Sequence, residues 1–76
     1  MKPTRVTNRI RTFRFAHGEM TQAELAARIG VTRQTVIAIE QGRYSPSLEM
    51  AFRIAQVFGA ALDDVFQYPT ADEEQL

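Results

Sequence analysis

Residues 22–41 read QAELAARIGVTRQTVIAIEQ, and the spacing within this stretch decides the fold. Thr21 precedes the run and Glu24 follows three positions later, the pattern of a capping box in which two side chains satisfy the first backbone donors of a helix. Helix formers fill the next turns. Ala26 is small where a second helix must pass closely, and Gly30 can take the left-handed conformation that ends a helix. Thr32 then offers a second cap. Leu25, Ile29, Val31, Val36 and Ile39 form one inward set, which leaves Arg33, Gln34, Thr35, Ile37 and Ala38 to face outward or along the flanks. The spacing therefore predicts two short helices joined by a tight turn.

The outward residues suggest what the second helix is for. Arginine pairs bidentately with guanine and glutamine with adenine, while threonine and alanine can touch a thymine methyl. A helix of about ten residues is roughly 15 Å long, a fair match to a major groove about 12 Å wide. Residues 32–41 thus read as the second helix of a helix-turn-helix. The plainer reading of the same spacing is an ordinary αα-hairpin.

The longer run TQAELAARIGVTRQTVIAIEQGRYSPSLEMAFRIAQVFG resembles the phage repressor and Cro-like helix-turn-helix proteins, the XRE family. The resemblance covers about residues 8–66 and rests on T-Q-x-E-L-A, G-V-T-R-Q-T and I-E-x-G-x-Y-x-P-S-L. It implies an all-α, five-helix, lambda-repressor-like DNA-binding domain and a transcriptional regulator, expected to act as a repressor. It also implies base-edge work for Arg33, Gln34, Thr35 and Ala38 and a phosphate-positioning role for Gln22 at the start of its helix. Arg43 and Tyr44 are expected on the backbone across the groove, with Arg9 or Arg11 as further candidates. Tyr44 has an alternative as a loop aromatic covering the core edge. Ile37 departs from the polar residues often found at its position in the family. By the same resemblance Arg14 and Glu40 form an ion pair tying the first helix to the recognition helix. Such a pair is worth about 3–5 kcal/mol to break if buried and below about 1 kcal/mol if exposed.

Composition sets bounds around this. A chain of 76 residues holds one small domain, and 45% apolar residues suffice for a compact helical core. Without cysteine there is no disulfide, thiolate metal site or cysteine nucleophile. No signal peptide or spanning segment is apparent, so a cytoplasmic, nucleoid-associated location with no membrane partner is expected. Formal net charge is zero, which by itself speaks against a nucleic-acid partner. Its distribution says otherwise. Residues 1–45 hold eight basic side chains against three acidic ones, a net +5, and residues 46–76 hold one against six, a net −5. A molecule charged in this way presents a basic end to phosphates while the acidic end suppresses indiscriminate binding.

In chain order, residues 1–7 read as an arm or short edge strand, with Thr4 and Val6 on one side. The first helix is expected over about Asn8 to His17, with Ile10, Phe13 and either Ala16 or Phe15 inward, and Gly18 ending it. The link to the capping box is one residue longer than the usual family form. Gly42 closes the recognition helix, and Ser47 caps a fourth whose apolar face is Leu48, Ala51, Phe52, Ile54, Ala55 and Phe58. Gly59 stops that helix. A fifth runs from Leu62 to about Phe66, beginning at Ala61 where relatives often carry a capping serine. The Val65–Tyr68 segment could pair with Thr4–Val6 as a two-stranded ribbon, marginal unless packed on helices or a second subunit. The core domain is thus expected over residues 8–68, with 69–76 an acidic, flexible tail.

For catalysis the inventory is thin. His17 is the only histidine and has no partner at triad or ligand spacing, so it reads as a cation favouring a helix C-terminus. Asp63-Asp64 and Asp72-Glu73-Glu74 lack any accompanying phosphate loop or metal motif. No catalytic residue, cofactor, metal or small-molecule effector is expected. The expected partners are double-stranded DNA bearing a palindromic operator, with half-sites about 34 Å apart, and a second copy of the chain joined through helix five, the Phe66–Tyr68 segment and the terminal strand. The alternative is a protein-interaction module, such as an antitoxin or coactivator, that meets its partner through the C-terminal segment.

Overall fold

The computed structural model describes residues 4–69. In chain order the elements are β1 (Thr7–Asn8), α1 (Ile10–Ala16), α2 (Gln22–Ile29), α3 (Arg33–Glu40), α4 (Leu48–Val57), α5 (Leu62–Val65) and β2 (Phe66–Gln67). Three of the five helices start on a side-chain cap. Glu24 N donates to Thr21 Oγ1 at 3.0 Å, Thr35 N to Thr32 Oγ1 at 3.2 Å, and Met50 N to Ser47 Oγ at 3.1 Å. At α2 the box is closed by Thr21 N donating back to Glu24 Oε1 at 3.4 Å. Ala61 has no oxygen to offer, and α5 is only four residues long.

The turn between α2 and α3 is set by Gly30, whose φ of +76° and ψ of 35° lie in the left-handed region. The other link of note, between α1 and α2, uses two successive residues at positive φ, Gly18 at +72° and Glu19 at +56°. Glycine enters this region without steric cost and glutamate rarely does. The extra residue of this link is therefore absorbed by backbone geometry, and Met20 beyond it turns inward to 3% exposure.

Ile10, Met20, Leu25, Ala26, Ile29, Val36, Ile39, Ile54, Ala55, Phe58 and Val65 make a single buried cluster, with Val31 partly buried against it. This is one core drawn from every helix. Four residues offered as inward candidates are exposed instead. On α1 the inward places are taken by Ile10, Phe13 and the buried Arg14, so Phe15 and Ala16, one and two steps further round, are exposed. On α4 the buried stripe is Ala51, Ile54 and Ala55 with Phe58 just beyond it; Leu48 lies a turn before the stripe and Phe52 a residue off it. They stay 67% and 48% exposed.

The ribbon forms, in a different register from the expected one. Thr7 pairs with Gln67 and Asn8 with Phe66, antiparallel. Thr4 is engaged elsewhere: its amide donates to the Gly42 carbonyl at 3.1 Å and its Oγ1 lies 2.6 Å from Ser45 Oγ. Phe66 has left the helix for extended backbone, φ −120° and ψ 139°, so α5 ends at Val65. Asn8 joins ribbon to domain, donating through Nδ2 to the Ile39 carbonyl at 3.0 Å and accepting from Ile10 N at 3.2 Å. Lys2 and the acidic segment 70–76 lie outside the described residues.

Candidate nucleic-acid interface

The amino end of α3 is at the surface. Arg33 and Gln34 are exposed, while Thr35, Ile37 and Ala38 are half-buried along its flanks and Val36 and Ile39 are buried beneath. Thr35 is partly committed to the cap, its Oγ1 lying 3.0 Å from Thr32 Oγ1, so its methyl is the freer part of the side chain. Ile37 divides its surface between solvent and the domain.

Arg33 shares an open polar cleft with Gln22, from the first turn of α2, and with Arg9, Arg11 and Gln41. Four guanidiniums, those of Arg9, Arg11, Arg14 and Arg33, and three amides thus surround one concavity against two carboxylates, Glu19 and the Arg14-paired Glu40, next to the exposed backbone donors of the α2 amino terminus. A phosphate group is a chemical match for such a setting. Arg43 and Tyr44 do not line this cleft; they sit past the carboxyl end of α3. Arg43 is exposed, whereas Tyr44 is half-buried with its side chain packed against the core. That places part of its ring in the role of covering the core edge.

Arg14 and Glu40 meet beneath the cleft. Arg14 Nε donates to Glu40 Oε2 at 2.8 Å and Nη2 to Oε1 at 3.0 Å, a parallel two-bond fork between α1 and the last turn of α3. Nη1 donates to the Met20 carbonyl at 2.9 Å. The two side chains are 8% and 10% exposed, so the pair lies largely out of water with its geometry satisfied. Its effect is to hold the height and tilt of α3 relative to α1.

Phe15 belongs to this face although no base-reading or phosphate role suggests it in the sequence. The Arg11 Cζ lies 5.4 Å from its ring centroid and the Arg14 Cζ 5.6 Å. The half-exposed ring thereby shields the buried fork and steadies Arg11 at the cleft rim. An Arg–Phe pair at spacing four is the signal that could have found it, repeated two residues back by Arg9 over Phe13 at 5.9 Å. His17 stands away from the cleft: its Nδ1 is 2.8 Å from the Phe13 carbonyl and its ring packs 5.3 Å from that of Phe58. Among the described residues no group of three or more histidine, cysteine, aspartate or glutamate side chains is placed to hold a metal ion, and no helix is long and apolar enough to cross a membrane.

Known proteins share both the sequence and the shape. Residues 14–65 match the Helix-turn-helix family. The chain is 50% identical over 68 residues to an uncharacterized HTH-type transcriptional regulator of Archaeoglobus fulgidus, covering 90% of each. It is 49% identical over 61 residues to one of Methanocaldococcus jannaschii, covering 80% of this chain and 91% of the other. Among solved structures, a hypothetical transcription factor of Neisseria aligns with TM-score 0.67 at 33% identity, over 72% of this chain and 61% of that one. A Bacteroides fragilis protein has the same fold at TM-score 0.71 and 22% identity, over 82% and 98%. With the α2–turn–α3 geometry and these matches together, the chain belongs to the XRE-type helix-turn-helix family of transcriptional regulators.

Proposed function

We propose that the protein is a sequence-specific double-stranded DNA-binding repressor that inserts α3 into the major groove and works as a homodimer on a palindromic operator in the nucleoid. The observation that carries the reading is the placement of Arg33, on the first turn of α3, in one cleft with Gln22, Arg9 and Arg11, with Gln34 exposed next to it on the same turn. Base-reading groups and phosphate-binding groups then meet a duplex at the same time. Arg33, Gln34, Thr35 and Ala38 read base edges. Gln22, Arg43 and the accessible rim of Tyr44 hold the backbone.

The second copy is supported by an apolar groove lined by Val6, Pro46, Leu48, Leu62, Phe66 and Tyr68. Tyr68 and Leu48 are 60% and 67% exposed there. A two-fold partner seated in it would supply the second recognition helix that a palindromic operator requires.

Selection of bound duplexes from a random pool is the test, followed by Gln34→Ala and Arg43→Ala. A palindromic consensus is expected. Gln34→Ala should lose about 1–3 kcal/mol of discrimination at one base pair, whereas Arg43→Ala should weaken all duplexes alike and flatten the salt dependence. Equal effects of both substitutions on every sequence would remove the base-reading assignment.

A further inference from the structure

Phe15 is 51% exposed on α1, where Ile10, Phe13 and Arg14 fill the inward places. Its ring lies in the wall of the basic cleft with two guanidiniums against it, Arg11 Cζ at 5.4 Å and Arg14 Cζ at 5.6 Å from the centroid. The two arginines are held very differently. Arg14 is fixed by two bonds to Glu40 and one to the Met20 carbonyl. Arg11 is exposed, and among the described residues its guanidinium forms no ion pair, so the Phe15 ring is what restrains it.

The neighbouring stack on α1 differs in one respect. The Phe13 ring under Arg9 is half-buried, stacks on Phe58 at 5.5 Å and does not line the cleft. The Phe15 ring is tied instead to the recognition helix: Glu40 of α3 fixes Arg14, Arg14 lies against Phe15, and Phe15 carries Arg11. An arginine free to turn about its side-chain bonds gives up that freedom when it meets a phosphate, which subtracts from affinity. A guanidinium already held over a ring gives up less.

Resting on the DNA-binding reading above, we propose that Phe15 is a positioning residue for the duplex: its ring presets Arg11 as a phosphate contact in fixed relation to α3. Phe15 acts through Arg11 and reads no base. Because phosphates carry no sequence information, the gain is the same for every duplex.

The test measures duplex affinity for Phe15→Leu and Phe15→Tyr, each alone and combined with Arg11→Ala. Leucine keeps apolar cover over the Arg14–Glu40 fork but has no π face, whereas tyrosine keeps the face. Phe15→Leu should weaken binding to every duplex about 2- to 5-fold, and Phe15→Tyr should restore it. Arg11→Ala should lower the slope of log affinity against log salt by about one. In the Arg11→Ala background Phe15→Leu should cause no further loss. A loss of the same size there would overturn the proposal, since the ring would then act through the fork and not through Arg11. A readout without DNA separates this proposal from the reading it rests on: the Arg11 Nε–H resonance of the free protein should move in Phe15→Leu, which lacks the ring current, and stay near its wild-type position in Phe15→Tyr. An unmoved resonance in Phe15→Leu overturns the presetting whether or not DNA binds. A resonance that moves as expected in a protein that binds no duplex overturns the DNA reading instead, and the phosphate role of Arg11 with it.

Discussion

Arg14 and Glu40 show how a single side chain can settle the attitude of a recognition helix. All three donor groups of the Arg14 guanidinium that are described have acceptors, two on Glu40 and one on the Met20 carbonyl. Removing the carboxylate strands a buried cation with one carbonyl. Glu40→Ala is accordingly expected to cost about 3–5 kcal/mol in urea denaturation. Arg14→Met, which keeps an apolar stem in the space that Arg14→Ala would empty while both leave Glu40 unpaired, should cost less than Arg14→Ala, and a double-mutant cycle on Arg14 and Glu40 should give a coupling above about 1 kcal/mol. A coupling near zero would mean that the fork adds nothing to stability despite its burial. The resemblance implied this pair, while the third partner, Met20, was not legible: its burial depends on Glu19 taking a left-handed turn that no residue-type preference announces.

Individual helices were the most legible level, because caps and periodicity act over a few residues. The three helices with Thr or Ser caps begin where those caps stand. Ala61 shares their backbone geometry, φ −74° and ψ 154° against −79° and 162° at Thr21, and differs only in lacking the oxygen. Ala61→Ser should therefore stabilise the protein by about 0.5–1 kcal/mol, read as a rise in the urea midpoint. Thr21→Ala should lose about 1 kcal/mol, more than Thr32→Ala, because it also frees the Glu24 side chain that bonds back to the cap. Gly30→Ala adds a Cβ that meets only the Arg53 Nη1 at 3.9 Å. Its expected cost, about 1 kcal/mol or more, is conformational and not steric.

For the molecule as a whole, the proposed function divides the surface between two kinds of partner, a duplex at the basic cleft and a second copy at the apolar groove. Leu48 and Phe52 were read from their sequence spacing as core, yet they project from α4 beside that groove. In the proposed homodimer a second copy would cover at least Leu48. Leu48→Asp should hold the protein monomeric in sedimentation and weaken operator binding by about tenfold or more, with no loss of monomer stability, since Leu48 packs little within its own chain. A dimer that survives this change would place the two-fold contact elsewhere.

What the amino-acid sequence by itself determined are the features written within ten residues or so: the capping box at Thr21, the Gly30 turn, the alternation that turns Val36 and Ile39 inward and Arg33 and Gln34 outward, and through these the family. Tertiary structure decided what depends on neighbours far along the chain. It chose Thr7–Asn8 over Thr4–Val6 as the strand, because Gly42 and Ser45 claim Thr4. It gathered Arg9, Arg11, Gln22 and Arg33 into one cleft, and left Leu48 and Phe52 in solvent. Periodicity states which face of a helix is apolar, but burial requires a second surface to meet it, and the folded chain alone supplies that surface.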